Sequence, residues 1–308
     1  MIEPEQLNIF LHAAETLNFS TTAKQLHVSQ PTVSKSILDL ERKLKVTLFE
    51  RSSGRIRLTD AGKTLQPWAR KLIHQLHNLE DMMASLQTEV TGTLNIACST
   101  TAGKYILPQL AARFRYRYPG IHVSILGCMP ELVVHNLLEG EADLGVVSYE
   151  VANPGLECQE FFNDLITLIV PANHPWAFRH LVEPAELLTE PIIIREPTSG
   201  TRRVMLEELA KHDISLEALN IFLELGNAEA IVRTVASGYG ISFVSTLATA
   251  CPLERGNVVE ISVSGMELRR TIYMARKALS ASHRPQEAFW SFVHDPANLD
   301  LLRLAEST

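Results

Sequence analysis

Residues 19–34, FSTTAKQLHVSQPTVS, determine the fold of the amino-terminal part of the chain. Ser20 is placed to cap one short helix, and Ser29 is placed to cap a second helix that carries Val33 and Ile37 on its inner face. Because only two residues, His27 and Val28, separate the helices, their connection must be a tight turn. This arrangement predicts a helix-turn-helix, whose second helix enters the major groove of DNA.

The outer face of the second helix suits base recognition. Short or flexible hydrogen-bonding side chains stand near its amino-terminus, where base edges are reached, and Pro31 costs little in a first turn. They are Gln30, Thr32, Ser34 and Lys35. The next segment, LFERSSGRIRL at residues 48–58, predicts two short strands around a glycine turn, a cationic wing that lies along the phosphate backbone. The alternative is a three-helix bundle with a solvated basic face.

The distribution of charge favours DNA. The 308-residue chain has a formal charge of −7, 46% apolar residues and 20% charged residues, which excludes a disordered or low-complexity protein. Between Phe19 and Lys71, however, eleven Lys and Arg stand against four acids, a local charge of +7. The other 255 residues therefore carry −14. Neutralisation of phosphates needs such a local excess of positive charge.

A long helix is predicted after Thr59 and Asp60, which form a good N-cap pair. Its apolar residues follow a nearly heptad spacing that needs a partner helix: Leu65, Trp68, Leu72, Leu76, Leu79, Met83 and Leu86. Pairing with a second copy of the chain is the preferred interpretation, because a dimer presents two reading helices to palindromic half-sites. The alternative is packing on the chain's own carboxy-terminal part.

The remaining two-thirds of the chain alternates predicted strands and helices, which indicates parallel α/β sheets. Strands are expected at residues 93–98, 122–126, 144–147, 165–170, 192–194, 241–244 and 272–275, and helices at 107–118, 131–138, 201–212, 227–236 and 285–292. Crossing strands near residues 162–171 and 258–275 connect two lobes. A small ligand would bind between such lobes, at the carboxyl ends of the parallel strands.

Three segments are expected to face that cleft. They are residues 99–101, 198–203 and 226–229, and each combines hydroxyl or amide side chains with the start of a helix, where an anion is favoured. The alternative for each segment is simple helix capping.

No catalytic or metal-binding pattern is found. The cysteines at 98, 128, 158 and 251 form no CxxC pair, and no His is spaced to activate Cys98 or Ser99 as a nucleophile. Gly238-Tyr239-Gly240 is a turn before a strand and lacks the full nucleotide fingerprint. We expect no enzyme activity, no cofactor and no metal. The start of the sequence has no signal-peptide pattern and no long apolar run, so a reducing cytoplasm and no membrane partner are expected.

These motifs resemble the LysR-type transcriptional regulators over essentially the whole chain. The resemblance rests on residues 19–34, LFER at 48–51, LTDAG at 58–62 and GYGI at 238–241. It departs at Thr22, where the family more often has Ala, so slightly looser packing of the second helix is expected. Residues 103–108 and 196–202 are similar to the branch of carbon-fixation and sulfur-assimilation regulators, which suggests a small anion as effector.

The resemblance implies a multidomain α/β protein: a winged helix-turn-helix at residues 1–58, a linker helix at 59–90 and a periplasmic-binding-protein-like effector domain at 91–308. Lobe I would span about 91–162 with 269–308, and lobe II about 163–268. The implied DNA-binding residues are Ser29, Gln30, Pro31, Thr32, Ser34, Lys35, Arg51 and Arg55. The implied effector-binding residues are Ser99, Thr100, Thr101, Thr198, Ser199, Thr201 and Asn227.

The function expected from all this is a sequence-specific transcriptional regulator that binds promoter DNA, acts indirectly on RNA polymerase, and forms a homodimer or homotetramer. An effector that binds one arrangement of the lobes more tightly would shift the spacing between the DNA-binding domains of the assembled copies. Two alternatives stay open: a ligand-independent repressor with a vestigial effector domain, and an enzyme or solute-binding module whose basic segment only mediates assembly.

Overall fold

A computed structural model describes residues 1–52, 55–84, 90–99, 101–278 and 284–305. Contacts divide the chain into two units, Met1–Thr88 with Glu139–Glu141, and Glu89–Leu138 with Ala142–Thr308. Within the described ranges, no helix combines the length and the apolar character needed to cross a membrane.

The first unit consists of three helices, a two-stranded wing and a long helix. In chain order the elements are α1 (Pro4–Thr16), α2 (Phe19–Gln25), α3 (Gln30–Leu44), β1 (Phe49–Ser52), β2 (Arg55–Leu58) and α4 (Asp60–Ala84). The wing strands β1 and β2 pair antiparallel, as the sequence predicts. Phe49 on β1 packs its ring 5.6 Å from that of Phe10 and 5.4 Å from that of Phe19, so the wing is anchored in the helical core.

The cap of α2 differs from the expectation. Asn18, not Ser20, caps this helix: its Oδ1 accepts hydrogen bonds from the backbone N–H groups of Ser20 and Thr21 at 2.9 and 3.1 Å. The helix already begins at Phe19, so Ser20 lies inside the first turn, whereas Asn18 has the extended backbone of an N-cap. The expected caps Ser29 of α3 and Thr59 of α4 are confirmed, since their hydroxyls accept from the N–H groups of Thr32 and Gly62.

The packing of α2 is not loosened by its threonine. Thr22 is fully buried, and its hydroxyl donates to the carbonyl of Asn18 at 3.0 Å. The same hydroxyl lies 2.6 Å from that of Thr16. Both hydrogen bonds satisfy a polar group that burial would otherwise penalise, so the expected looser packing is wrong.

Helix α4 carries an apolar stripe, four residues of which are exposed in the described structure. Trp68, Leu72, Leu79 and Met83 each expose between 50% and 60% of their surface, and Leu65 and Leu76 are half-buried. The seventh member of the predicted stripe, Leu86, lies outside the described residues.

The second unit contains the remaining strands and helices. In chain order they are β3 (Gly92–Cys98), α5 (Thr101–Arg117), β4 (Ile121–Gly127), α6 (Pro130–Glu139), β5 (Leu144–Val147), β6 (Leu156–Pro171), β7 (Leu181–Val182), β8 (Ile192–Arg195), α7 (Gly200–Ala210), β9 (Ile221–Leu225), α8 (Ala228–Ala236), β10 (Ser242–Ser245), α9 (Ala250–Glu254), β11 (Val258–Val263), β12 (Leu268–Lys277), α10 (Arg284–Phe292) and α11 (Leu299–Arg303).

The sheets are mixed rather than wholly parallel. Strands β4, β3 and β5 pair in parallel, and so do β8 and β9. The long strands β6 and β12 pair antiparallel, as do β10 and β11 with β6. The expectation of parallel sheets is therefore correct only for the βαβ segments, because β6 and β12 cross between the lobes in opposite directions.

Two cores define the two lobes, and both crossing strands contribute to each. Lobe I has Phe161 and Phe162 from β6 and Ile272 and Met274 from β12 in its core. Lobe II has Ile166, Leu168 and Val170 from β6 and Leu268 from β12 in its main core. The periplasmic-binding-protein-like architecture is thus present, while the exact lobe bounds given above stay predictions.

The short elements β7, α9 and α11 were not expected. Three longer elements also differ from the expectation. Helix α5 begins at Thr101 rather than at 107, because the buried face continues back to Ile106 and Pro108 is accommodated inside the helix. Strand β6 begins nine residues before the expected strand at 165, since it spans both lobes. Strand β9 was not expected: its side chains are mostly exposed, so its sequence lacks the alternation of a half-buried strand.

Candidate functional site

The start of α3 presents most of the predicted DNA-contacting residues to solvent. The five exposed members are Ser29, Gln30, Pro31, Thr32 and Lys35, and Ser34 is half-buried. Between them Val33 is fully buried, which fixes the rotation of the helix on the core. The exposed face at the amino-terminus of a helix is the part that reaches base edges in a helix-turn-helix.

Two of these side chains also organise the helix itself. The Ser29 hydroxyl accepts from the N–H of Thr32 at 3.2 Å and lies 2.7 Å from its hydroxyl. The Gln30 amide donates to the hydroxyl of Ser34 at 3.0 Å. These bonds restrict the rotamers of the polar side chains at the start of α3.

The wing brings its two predicted arginines onto facing strands. Arg51 lies opposite Ile56, and Arg55 opposite Ser52, in the antiparallel pairing. Their backbone is described, but their side chains lie outside the described part of the structure. Arg57, one position beyond Ile56, is exposed and adds a cation to the same strand.

The second unit contains a cleft of about 340 Å³ between its lobes. Lobe I lines it with residues at strand ends and helix starts, lobe II with the segment before α7, and β12 with a single arginine. The lining residues are Ser99, Lys104, Gly127, Cys128, Met129, Pro130, Ser148, Arg195, Glu196, Thr198, Ser199, Gly200, Gly226 and Arg270.

Three predicted effector residues lie together in this lining: Ser99, Thr198 and Ser199. Thr201 does not, because it is 2% exposed inside the first turn of α7. Asn227 does not either: its Oδ1 accepts from the N–H of Ala230 at 2.9 Å and caps α8. Thr100 lies outside the described residues, as does the side chain of Thr101.

The sequence reasoning missed three cations in the cleft: Lys104, Arg195 and Arg270. The sequence contained a signal for one of them. Every second side chain of a strand points to the same face, and Arg270 shares its face of β12 with three apolar residues that point into the cores: Leu268, Ile272 and Met274. This spacing places the Arg270 side chain inside the protein. Such a buried cation is retained only with a partner.

Arg270 has that partner in Asp164, directly opposite on β6. Its Nε donates to Asp164 Oδ2 at 2.7 Å, and the other carboxylate oxygen accepts from the Ser245 hydroxyl at 2.6 Å. Asp164 is fully buried, and the Arg270 side chain is 4% exposed. The pair fixes the guanidinium where the two lobes meet.

The other two cations differ in how far they are compensated. Arg195 makes a two-pronged ion pair with the neighbouring Glu196, both contacts at 2.7 Å. Lys104 is exposed, and no carboxylate within the described residues forms an ion pair with it. Lys104 therefore supplies a positive charge to the cleft that the protein does not neutralise locally.

The cleft has no arrangement for nucleophilic catalysis in the part the structure describes. Its lining contains no histidine, and Cys98 is fully buried. Burial raises the pKa of the Cys128 thiol, which disfavours the reactive thiolate. Among the described residues, no group of three His, Cys, Asp or Glu is placed to hold a metal ion.

Comparison with known proteins defines the class of the chain. Residues 4–63 match the model of the bacterial regulatory helix-turn-helix protein, lysR family, and residues 87–297 match the LysR substrate binding domain. The chain belongs to the LysR family of DNA-binding transcriptional regulators, which carry an effector-binding domain.

Individual relatives place it near carbon-fixation regulators. A "Probable RuBisCO transcriptional regulator" of Nostoc sp. is 30% identical, covering 98% of this chain and 92% of the relative. The crystal structure of CbnR, a LysR family transcriptional regulator, covers 99% of this chain and 100% of its own, with a TM-score of 0.74 at 22% identity. The regulatory domain of Synechocystis CcmR in complex with 2-PG covers 65% of this chain and 95% of its own, with a TM-score of 0.59 at 28% identity.

The close approach of the lobes at Gly200 gives a first prediction. A Cβ at this position would lie 2.2 Å from Ser148 Oγ, 2.7 Å from Ser148 Cβ and 2.9 Å from Arg270 Nη1. We expect Gly200→Ala to lower the free energy of unfolding by about 1–3 kcal/mol, as overpacking does. Urea unfolding followed by tryptophan fluorescence measures this.

The matched control is Gly226→Ala, which also changes a glycine of the cleft. A Cβ there meets no atom within 4 Å, so its unfolding midpoint should stay that of the wild type. Equal midpoints for the two variants would contradict the described contact between the lobes.

Proposed function

We propose that this regulator reads promoter DNA with the start of α3 and the wing, and that it responds to a small anion bound between its lobes. The observation that carries the proposal is the meeting of Lys104 and Arg270 with helix starts from both lobes in one cleft. The protein would alter access of RNA polymerase to the promoter and would bind its effector unchanged, with no catalysis, cofactor or metal. A cytoplasmic location suits this role.

The DNA-binding part of the proposal rests on charge and exposure. Gln30 and Lys35 stand exposed on the same end of α3, and Arg57 is exposed on the wing. A glutamine amide can bond a base edge in two places, whereas Lys and Arg neutralise phosphates. The two kinds of residue should therefore have separable effects on binding.

Substitution of these residues tests whether the start of α3 and the wing form the DNA-binding surface. Against a genomic fragment selected by the wild type, Lys35→Ala and Arg57→Ala should weaken binding to all duplexes and lower the salt slope by about one each. Gln30→Ala should instead weaken the selected site by about 1–3 kcal/mol with little effect on random DNA. Fluorescence anisotropy at several salt concentrations measures both effects.

Lys211→Ala serves as the control, because it removes an exposed cation from the second unit and should leave DNA binding unchanged. If the α3 and wing variants bind the selected fragment with the same affinity as the control, the DNA-binding surface is not the one proposed here.

The anion part of the proposal rests on the electrostatics of the cleft. Its lining has three cations against one carboxylate, Glu196, and the charge of Arg270 is balanced by Asp164 behind it. The starts of α6 and α7 add Pro130 and Gly200 to the lining, and helix starts favour anions. The net positive lining suits a small phosphorylated or carboxylated metabolite, and the 2-PG complex of CcmR supports this class.

Lys104→Gln tests the anion site without disturbing a buried group. We expect calorimetry to detect binding of 2-PG or inorganic phosphate to the wild type and roughly tenfold or greater weakening in the variant, because a charge-assisted hydrogen bond contributes about 1.5–3 kcal/mol. Glycerol, which has no charge, should not bind. Lys211→Gln is the control.

Two outcomes would count against the anion site. Unchanged affinity of Lys104→Gln removes the lysine from the site. A wild type that binds neither these anions nor citrate, yet still binds its DNA, supports the ligand-independent repressor instead.

We further propose that α4 pairs with α4 of a second copy, in a homodimer or in a dimer of such dimers. Trp68, Leu72, Leu79 and Met83 recur at heptad-like intervals, and their exposure in the single chain is what a partner helix would remove. An effector that binds one arrangement of the lobes more tightly would then change the relative position of the two DNA-binding domains at the half-sites.

Leu79→Lys should separate the copies, because it inserts a charge into the apolar stripe. Sedimentation velocity should show a species of half the wild-type mass or smaller. Glu80→Lys, at the next position on another face of α4, should sediment like the wild type. The same mass for both variants would assign self-association to another surface.

A further inference from the structure

The second unit contains a larger cavity, of about 740 Å³, that shares no residue with the cleft described above. Its walls come from α5 of lobe I, from α8 of lobe II, and from the segment around α9 that packs against β11. This volume falls within the range of pockets that hold small organic molecules.

The cavity lies where both lobes contribute side chains. Ile106 of α5 is fully buried in the core of lobe I, and Val232 of α8 is 2% exposed in a core of lobe II. The hydroxyl of Tyr105 donates to Glu229 across the same region at 2.9 Å, which links α5 to α8. A molecule in this cavity would contact both lobes at once.

Most of the cavity wall is apolar. In addition to Ile106 and Val232, the aliphatic lining consists of Ala236, Leu247, Ala248, Ala250, Pro252, Leu253 and Leu304. An apolar body is therefore the larger part of any ligand that fits, since burial of apolar surface supplies most of the binding free energy.

Two polar groups in the wall need a hydrogen-bonding partner. Glu260 of β11 is half-buried, and the described structure gives its carboxylate one donor, the hydroxyl of Thr249 at 3.0 Å on Oε1. Burial raises the pKa of Glu260. Thr246 is buried, with 7% of the residue exposed, and its hydroxyl has no hydrogen-bond partner in the described structure. Buried polar groups without partners are costly.

The charges of the wall determine which kind of molecule fits. Glu229 and Glu260 are balanced by Arg233 and Arg255, so the lining has no net charge. A net anion would face the carboxylate of Glu260, and a net cation would face two arginines. A neutral molecule avoids both, and a hydroxyl on it can donate to Glu260.

We propose that this cavity is a second ligand site, distinct from the anion cleft, for a neutral apolar molecule that donates one hydrogen bond to Glu260, such as a phenol or an alcohol. Because the site uses no cleft residue, its occupancy is measured without a cleft anion or DNA. Its failure is therefore distinguishable from failure of the proposed function.

The probes are three fluorinated aromatics of similar size, observed by ¹⁹F NMR with the full chain. We expect 4-fluorophenol to bind in the millimolar range. 4-Fluorotoluene lacks the donor and should bind roughly tenfold more weakly, because it desolvates the Glu260 carboxylate without adding a donor to that of Thr249. 4-Fluorobenzoate, an anion, should bind as weakly as the toluene or not at all.

Two substitutions fill the cavity from different elements. Ala236→Leu adds volume from α8, and Ala250→Leu adds it from the exposed side of α9, where loss of folding is not expected. Each should reduce 4-fluorophenol binding at least tenfold, with thermal unfolding unchanged for Ala250→Leu. Ala230→Leu is the control, because Ala230 lies exposed on α8 outside the lining and should bind like the wild type.

The proposal is overturned if 4-fluorophenol does not bind to the wild type, or if Ala250→Leu binds it like Ala230→Leu. Equal binding of 4-fluorophenol and 4-fluorotoluene would likewise overturn the assigned donor to Glu260.

Discussion

The second unit depends on one buried ion pair, Asp164 with Arg270. It lies in the stretch between the lobes where residues 162–165 of β6 pair only with residues 269–272 of β12, since β5, β10 and β11 join these strands on either side of it. Removing either partner would leave an uncompensated charge in the interior, which typically costs about 3–5 kcal/mol. The pair thus holds the register of the crossing strands, and it also presents the Arg270 guanidinium to the cleft. The side chain that stabilises the junction is therefore also the one that the proposed anion site would use.

The helix-turn-helix could be predicted from the sequence because the sequence features that define it are local. The cap at Ser29, the inward face of Val33 and Ile37, and the short connection to α2 all act within a few residues of each other. The error at Ser20 is of the same local kind: Asn18 and Ser20 are both good caps, and the start of the helix at Phe19 decided between them. The cationic excess of this part of the chain points to DNA without any knowledge of tertiary structure.

The cleft was only partly predictable because tertiary pairing builds it. Ser99, Thr198 and Ser199 follow strands or precede helices, so topology places them together. Arg195 directly follows the strand expected at 192–194, so its position carried the same signal as that of Ser99. Lys104 gave no such signal, and the role of Arg270 depends on Asp164, more than one hundred positions earlier in the chain. Thr201 shows the reverse limit, because this residue in the first turn of α7 points into the protein although Ser199 and Gly200 line the cleft.

The two-stranded crossing also determines how the lobes can move. Two-stranded ribbons carry a larger twist than wide sheets, and here the ribbon is bounded on both sides by broader sheet. We expect a change in the arrangement of the lobes to be absorbed mainly as twist of this ribbon, because fewer inter-strand hydrogen bonds restrain it than restrain the sheet on either side. A torsional hinge of this kind converts a small local contact into an angular displacement that grows with distance from the axis.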